Sequence, residues 1–299
     1  MLPSVSVVVP LYNHERFIAA ALYSVFNQSH PAREIIVVDD GSSDTSFGVL
    51  QSLAQGRPEM VIWRSRNRGA HNAINAGVQR ATSELVAILN SDDEYEPDRL
   101  RSVAAAFQAD GKLDALATGL RCIDNDGAPV ANAWYEGALA YYRQEGRLGR
   151  SLINGNFVVT TSNLVARRGL FDVIGGFSNF RYAHDLDFFL RLVSSERRFR
   201  ILDDVMLRYR THASNTISEG HDKVKVEWAV VTALFAHDMA RRSGVATISE
   251  LLDVLRQHGL DRVVLFLLAY FAHRPPRGIG ADELFADPEA MKIVREMLA

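Results

Sequence analysis

The sequence predicts an α/β fold, with a mostly parallel sheet flanked by helices and an all-helical C-terminal part. Two observations predict the sheet: short apolar runs alternate with stretches of helical periodicity, and several of the runs end in polar or acidic residues. A third observation predicts the C-terminal part, because only helical patterns follow residue 218. We therefore expect a doubly wound sheet whose ligands bind at the carboxyl ends of its strands.

The composition of the 299 residues is that of an ordinary globular protein. The net charge of −3 gives no basis for a nucleic-acid partner. The one cysteine, Cys122, excludes an intrachain disulfide and is compatible with a reducing compartment. The N-terminal residues lack the pattern of a signal peptide, and the longest apolar run, residues 263–272, is too short to span a bilayer. We expect a cytoplasmic protein.

The first half of the chain alternates regularly between strands and helices. The run at 5–9 is wholly apolar or β-branched apart from Ser6, as in a buried parallel strand, and Pro10 ends it. Asp44 is placed to cap the helix that runs to about Ala54. The predicted elements are a strand at 5–9, a helix at 16–28, a strand at 35–38, a helix at 44–54, a strand at 60–63, a helix at 73–80 and a strand at 85–89.

The strand at 85–89 is followed by Asn90, Ser91 and the adjacent carboxylates Asp92 and Asp93. Two neighbouring carboxylates repel each other, so both ionise readily only beside a positive group. A hard divalent cation, Mg²⁺ or Mn²⁺, meets that need with oxygen ligands. The alternative is a solvated acidic turn before the helix that Pro97 opens.

A second acidic pair, Asp39 and Asp40, follows the strand at 35–38. Both pairs are expected at the same edge of the sheet, where they need a metal or other positive groups. Neither G-x-G-x-x-G nor G-x-x-x-x-G-K-[ST] occurs in the chain, so neither a dinucleotide fold nor a P-loop is supported. If a nucleotide diphosphate binds, we expect a metal rather than a glycine-rich loop to neutralise it.

The second half is less regular. Its predicted elements are a helix at 97–109, a strand at 113–123, a turn at 124–127, a strand at 157–165, a short helix before Gly175, a helix from about residue 184, a strand at 200–209, and tail helices at 223–242, 247–259 (opened by a capping box at 247–250), 260–273 and 283–298. Aromatic residues between 128 and 149 suit either packing or stacking on sugar rings: Trp134, Tyr135, Tyr141 and Tyr142.

Asp185 falls at the start of the helix whose apolar face includes Phe188, Phe189 and Leu192. A carboxylate at this position also suits a helix cap, so the position alone does not assign it a chemical role. His212 follows the last strand, and a single histidine there is usually structural.

Four segments together resemble the family 2 glycosyltransferases over about residues 4–215, and their order makes the match specific. They are VSVVVPLYN at 5–13, IIVVDDGSSD at 35–44, LNSDD at 89–93 and HD through Arg191 at 184–191. The resemblance implies a GT-A type fold, a Rossmann-like mostly parallel sheet. It also implies a nucleotide-diphosphate sugar as donor and inversion at the anomeric carbon.

The resemblance also implies roles for individual residues. Pro10 and Tyr12 would flank the nucleotide base, and Asp40 would accept its N–H. Asp185 would be the general base. The nucleotide-sugar-binding candidates are Pro10, Tyr12, Asn13, Asp40, Arg68, Asn75 and Asp92, and the candidate metal ligands are Asp93, Asp92 and His212, with 210–212 resembling a segment that closes over the diphosphate.

The chain departs from the family pattern at three positions. Asn90 stands where members often have Asp, and His184 stands where they often have Glu, which leaves the orientation of the acceptor open. Ile74 stands where relatives often have Arg, which removes one diphosphate contact. We expect Arg68 either to replace that contact or to be a solvated loop residue.

The expected function is inverting transfer of a sugar from a UDP- or dTDP-linked donor to a hydroxyl of a glycan or lipid-linked acceptor, in surface polysaccharide synthesis. Such a single displacement needs one base and one electrophile but no enzyme nucleophile. The alternatives are a non-catalytic sugar-nucleotide-binding scaffold and a nucleotidyltransferase. We expect a glycosyltransferase domain at 1–217 (nucleotide-sugar half 1–95, acceptor half 96–217) and a helical extension at 218–299. The extension would pack internally, form a homodimer or contact the membrane peripherally.

Overall fold

The computed structural model describes residues 1–212, 215, 220–244 and 246–298. Their contacts divide the chain into two compact units. The first unit comprises Met1–Ala131, Thr160–Gly176 and Arg197–His212, and the second comprises Asn132–Val159, Phe177–Glu196 and Ala213–Ala299.

The strands are β1 (Val5–Leu11), β2 (Glu34–Asp39), β3 (Met60–Arg64), β4 (Leu85–Ile88), β5 (Glu94–Tyr95), β6 (Ala115–Ile123), β7 (Pro129–Val130), β8 (Val165–Arg167) and β9 (Phe199–Arg210). The helices are α1 (Ile18–Phe26), α2 (Ser46–Ala54), α3 (Ala70–Arg80), α4 (Arg99–Ala109), α5 (Ala133–Glu145), α6 (Leu148–Asn154), α7 (Leu170–Ile174), α8 (His184–Ser194), α9 (His221–Ser243), α10 (Ala246–Ser249), α11 (Leu252–Gln257), α12 (Asp261–His273), α13 (Asp282–Phe285) and α14 (Pro288–Leu298).

The first unit is built on one mixed sheet with the strand order β3-β2-β1-β4-β8-β6-β9-β5, and β7 pairs with β6. Strands β1 to β4 are parallel, because each is joined to the next by a helix. Their apolar side chains are buried along β1, β2 and β4, as expected for strands covered on both faces. The predicted α/β fold with a mostly parallel sheet flanked by helices is confirmed.

The predicted strand at 157–165 is wrong. The structure has a 3₁₀ turn at Thr161–Asn163, and only Val165–Arg167 pairs as a strand. The cause is tertiary: the fully buried Arg99 donates to the carbonyl oxygens of Ser162 at 3.3 Å and Asn163 at 3.0 Å. The Arg99 side chain thus binds carbonyl groups that would otherwise pair with a neighbouring strand. These contacts outweigh the preference of the β-branched residues in this segment for a strand.

The second unit is helical among its described residues. Helix α9 packs against α8 and α12, and the apolar side chains between them are buried, including Val230, Val263 and Phe271. The predicted capping box at 247–250 is wrong, since Thr247 lies inside α10 and a new helix starts at Leu252. The tail helices share this unit with Asn132–Val159 and Phe177–Glu196, while the predicted division at residue 217 stays a prediction.

No helix in the described part of the chain combines the length and the apolar character that a bilayer-spanning helix requires.

Candidate active site

The segment after β4 is fixed by Asn90, which forms three hydrogen bonds to the 160–163 turn. Its backbone N–H donates to Ser162 Oγ at 2.8 Å, and its Nδ2 donates to Thr160 Oγ1 at 2.9 Å. Its Oδ1 accepts from Thr161 Oγ1 at 2.9 Å. Asn90 therefore anchors the acidic loop, and its amide can both donate and accept where an Asp carboxylate could only accept.

Asp93 is held by protein donors on both oxygens. Its Oδ2 accepts from Ser162 Oγ at 2.5 Å, and its Oδ1 accepts from the backbone N–H of Arg210 at 2.9 Å. The side chain is buried, with the residue 1% exposed. Burial and then repulsion from Asp92 raise the pKa of Asp93 well above its ordinary value, against the opposing hydrogen bonds. The prediction that Asp93 ligates a metal stays a prediction, and these contacts favour a structural role.

Arg210 ties the end of β9 to the acidic loop. Its guanidinium donates to the carbonyl oxygens of Asp92 at 2.8 Å and Asp124 at 2.6 Å, and it forms an ion pair with Glu94. These contacts bring the neighbouring His212 to the same place. The role that the family resemblance implied for residues 210–212, closing over the diphosphate, stays a prediction.

Asp92 lies with two histidines, His14 and His212. The ligand atoms of the three side chains all lie within 4.8 Å of one another. His212 Nε2 is 3.0 Å from Asp92 Oδ2, while His14 Nδ1 is 2.8 Å from Ser91 Oγ. Burial raises the pKa of Asp92, but the His212 hydrogen bond and the charges of His14 and His212 outweigh it, so its pKa lies below the ordinary value.

The donor set of this cluster fits a divalent transition metal. Imidazole nitrogens suit softer ions than Mg²⁺, whereas one carboxylate with added diphosphate oxygens suits Mn²⁺. Phe17 stacks on the His212 ring at 5.1 Å between centroids and thereby fixes its orientation. The three side chains are therefore a candidate site for a divalent ion.

The candidates for base binding lie at the ends of β1 and β2, whose parallel pairing ends at Leu11 and Asp39. Tyr12 is 45% exposed and therefore open to a ligand. Asn13 has a positive φ of 51°, and its Oδ1 accepts from the backbone N–H of Ser43 at 2.8 Å. The structure thus brings Pro10, Tyr12 and Asn13 to one strand end.

Asp40 joins this strand end but already has partners. Its carboxylate is buried and accepts from the backbone N–H groups of Arg68 at 2.9 Å and Gly69 at 2.7 Å. The Arg68 side chain is exposed. Asn75 lies on α3 against Gly176, where an added Cβ would come within 2.4 Å of its Oδ1. Asp40 therefore orders the 65–69 loop in addition to the role expected for it.

In the second unit, Asp185 lies in the first turn of α8 and is 8% exposed. It accepts from Asn156 Nδ2 at 2.8 Å and from the N–H of Leu186 at 2.7 Å. Burial raises the pKa of Asp185 to about 6 even though both hydrogen bonds lower it. Asn156 Oδ1 is buried and has no hydrogen-bond partner among the described residues, so it remains free to accept from a ligand hydroxyl.

Asp187, two residues further along α8, has a different environment. It accepts from Ser178 Oγ at 2.5 Å and forms an ion pair with Arg191, whose Nη2 lies at 2.8 Å. The residue is 2% exposed. These contacts all lie on Oδ2, and they tie the first turn of α8 to Ser178 and Arg191.

The aromatic residues between 128 and 149 divide into packed and exposed ones. Tyr142 stacks on Phe157 at 4.3 Å between ring centroids, and Tyr135 is buried. Both rings therefore pack inside the second unit. Trp134 is 53% exposed and is the ring of this group that the structure leaves most open to a sugar.

Sequence reasoning did not single out His14 or Asn156. His14 lies in the turn after β1 and meets Asp92 and His212 only through the fold, so no local signal marks it. Asn156 follows α6 in a polar segment, N-G-N, that is typical of turns.

The family model for glycosyl transferase family 2 matches residues 6–175. The chain is 29% identical over 233 residues to the chondroitin synthase of Pasteurella multocida, covering 77% of this chain and 23% of that protein. It is 35% identical over 129 residues to a putative teichuronic acid biosynthesis glycosyltransferase, TuaG, of Bacillus subtilis, covering 43% of this chain and 51% of that protein. The chain thus spans between about a quarter and a half of these relatives.

Among solved structures, S. aureus TarS (residues 1–349) in complex with UDP-GlcNAc superimposes with a TM-score of 0.66 at 21% identity. The match covers 85% of this chain and 72% of that one, and the complex of the same protein with UDP gives 0.64. At this identity the likeness shows the fold. The family match covers more than half of the chain, and the protein belongs to glycosyl transferase family 2.

Proposed function

We propose that the protein is an inverting glycosyltransferase that moves a sugar from a UDP- or dTDP-linked donor to a hydroxyl of a glycan or lipid-linked acceptor. Membership of family 2 supports the class of reaction. The observation that carries the proposal is the cluster of His14, Asp92 and His212 beside the ends of the parallel strands. This is where an open α/β sheet binds its ligands, and a diphosphate there needs a neutralising cation.

In this proposal Asp92, His212 and His14 would hold the divalent ion, and Mn²⁺ is favoured over Mg²⁺. Asp93, the metal ligand expected from the sequence, is the alternative ligand. The bound ion supplies positive charge for the departing diphosphate. His212 Nε2 and Asp92 Oδ2 lie within hydrogen-bond distance of each other. Both atoms would bind the ion instead when it is present. Pro10, Tyr12, Asn13 and Asp40 would hold the nucleotide, with Arg68 and Asn75 as further candidates.

Asp185 is the proposed general base. A base must be ionised to accept the acceptor hydroxyl proton, and a pKa of about 6 keeps it ionised at neutral pH but more basic than an ordinary Asp. Asn156 donates to one carboxylate oxygen and so orients the side chain. The free Oδ1 of Asn156 would accept a second hydrogen bond from the acceptor sugar.

Surface polysaccharide synthesis is the proposed setting, supported by the names of the chondroitin and teichuronic acid relatives. We propose a cytoplasmic site of action, with peripheral membrane contact or a homodimer through the C-terminal helices. Leu265 on α12 is 49% exposed beside the basic Arg262. Internal packing is the simpler alternative, since Val263 and Leu267 on the same helix are already buried. Sedimentation with anionic liposomes would separate these outcomes.

The test is a screen of UDP-, dTDP- and GDP-sugars with Mn²⁺, Mg²⁺ or EDTA. We expect stabilisation by a UDP- or dTDP-sugar only with the metal, by about 2.7 kcal/mol at 100 times the dissociation constant. Release of nucleoside diphosphate in the presence of an acceptor glycan would then show transfer. Binding without transfer to any acceptor would favour the scaffold, and pyrophosphate release from a nucleoside triphosphate with a sugar phosphate would favour the nucleotidyltransferase.

A further inference from the structure

The surroundings of Asp185 are set by two segments of the second unit. One is the backbone of 181–183, which leads directly into α8. The other is the end of α6, which is followed two residues later by Asn156, the donor to Asp185 Oδ2. The 181–183 segment and the residues between α6 and Asn156 are irregular, so regular backbone hydrogen bonds do not fix the position of the carboxylate.

The first segment is held by one carboxylate of α9. Glu227 Oε1 accepts from the N–H of Arg181 at 3.0 Å, and Oε2 accepts from Tyr182 at 2.7 Å and Ala183 at 2.9 Å. Residue Ala183 precedes α8 and provides no capping side chain. Glu227 therefore supplies, from another helix, the negative charge and acceptors that the start of a helix requires.

The second segment is held by the next residue of the same helix. Trp228 Nε1 donates to the carbonyl oxygen of Ile153 at 3.2 Å, near the end of α6. The Trp228 ring contacts His258 at 4.8 Å between centroids, and His258 Nε2 lies 3.2 Å from Asn154 Oδ1. Two neighbouring side chains of α9 thus hold the segments that precede Asp185 and its partner Asn156.

These contacts are more specific than packing requires. Apolar side chains alone can hold two helices together, whereas one carboxylate that accepts three successive N–H groups fixes the direction of the chain entering α8. A side chain misplaced by about 1 Å can cost about 100-fold in rate. We infer that Glu227 and Trp228 are positioning residues, which hold Asp185 and Asn156 in the geometry for proton transfer; the inference rests on the proposed role of Asp185.

The experiment compares Glu227→Gln with Asp238→Asn, a matched change on the same helix. Asp238 is exposed and paired with Arg242, and it does not contact the 181–183 segment. For Glu227→Gln we expect kcat to fall by about 10- to 100-fold while KM for the donor stays within about twofold. Asp238→Asn should leave both values unchanged. Equal kcat in Glu227→Gln and the parent would overturn the inference.

A double mutant separates positioning from general loss of structure. If Glu227 acts through Asp185, adding Glu227→Gln to Asp185→Asn should lower kcat no further. An additional 10-fold loss in the double mutant would overturn the inference and leave the base assignment intact. Full turnover in Asp185→Asn alone would overturn the proposed base and this inference with it.

Trp228→Phe gives an independent test if Glu227→Gln does not fold. It removes the indole N–H that holds Ile153, together with part of the ring system, and keeps one aromatic ring. We expect the same pattern, a lower kcat with an unchanged donor KM and no further loss in the Asp185→Asn background. An unchanged kcat in this folded variant would contradict the role of Trp228.

Discussion

Each unit of the protein contains a pair of nearby carboxylates, and in each pair the two members have opposite surroundings. In the first unit Asp93 is bound by Ser162 and Arg210, while Asp92 faces His14 and His212. In the second unit Asp187 is bound by Ser178 and Arg191, while Asp185 has an amide and a backbone N–H as its partners.

From this difference we propose which member of each pair takes part in the chemistry. A carboxylate that is ion-paired with a fixed cation, as Asp187 is with Arg191, contributes to the fold, because a substrate or ion would have to displace that cation. A carboxylate beside neutral or titratable groups keeps acceptor capacity. We propose that Asp92 and Asp185 are the chemical members. Asp187 is paired with Arg191, and Asp93 accepts from Ser162 and from the backbone N–H of Arg210, so both contribute to the fold.

The largest expected effect is on turnover in the second unit. Asp185→Asn keeps the shape and one acceptor oxygen but cannot accept a proton. We expect donor binding to stay unchanged and kcat to fall by about 10² to 10⁴. Steady-state kinetics with the donor found in the nucleotide-sugar screen would measure both quantities.

Asp187→Asn is the matched comparison on the same helix. It breaks a buried ion pair, so we expect a loss of stability of about 3 kcal/mol or more rather than a specific loss of turnover. Activity per folded molecule should stay within a few-fold of the parent. If this variant folds and is inactive while Asp185→Asn is active, the base is Asp187 and the criterion fails.

The second effect concerns the first unit. We expect Asp92→Asn to abolish the Mn²⁺-dependent part of nucleotide binding, because it removes a charged ligand from the histidine cluster. Asp93→Asn should weaken that part by about 10- to 100-fold, as for a residue that supports a ligand without contacting the metal. Calorimetric titration with UDP, with and without Mn²⁺, measures the difference. The reverse order of effects would make Asp93 the ligand.

The sequence predicted what depends on local pattern. The apolar runs that became β1, β2 and β4 were recognised because burial on both faces leaves a continuous apolar run. The start of α8 was recognised because burial of one helix face leaves a helical period in the residues. The prediction of a strand at 157–165 was wrong because contacts with Arg99 impose a turn on this segment. No local sequence pattern indicates that Arg99 is buried.

The candidate site, like the fold, could be predicted only where it depends on local sequence patterns. Asp92, Asp93 and Asp185 lie in motifs that can be read along the chain, so the sequence marks them as candidates. Their division into chemical and structural members depends on Ser162, His14 and other residues distant in sequence. Pairings of this kind arise only when the chain folds, and a single sequence carries no sign of them.

The third effect is on stability and has a defined pH dependence. Asp185 has a pKa of about 6 in the folded protein, against an ordinary value of 3.8. The folded protein therefore binds this proton more tightly than the unfolded chain, so burying the charge costs stability as pH rises from about 4 to 6. Above pH 6 the cost stays constant, and a difference of roughly two pKa units corresponds to about 3 kcal/mol.

Asn at position 185 carries no charge, so Asp185→Asn should be more stable than the parent by up to about 3 kcal/mol at pH 8. The gain should disappear near pH 4, where the parent carboxyl is protonated. Urea unfolding at the two pH values measures it. An equal or lower stability of the variant at pH 8 would mean that the carboxylate is better solvated than its burial indicates.

The smallest effect is on the pH dependence of turnover. Because the base must be ionised, kcat should rise with pH through about 6. The hydrogen bond from Asn156 lowers the pKa of Asp185, whereas burial and the nearby charge of Asp187 raise it. Asn156→Leu keeps the site buried but removes the donor, so the rising limb should move to higher pH. Ser178→Ala removes the hydrogen bond that Ser178 Oγ donates to Asp187, and it should leave the rising limb of kcat at the same pH. If the rising limb of kcat moves with Ser178→Ala and not with Asn156→Leu, the titrating carboxylate is Asp187. The proposed distinction between Asp185 and Asp187 would then be wrong.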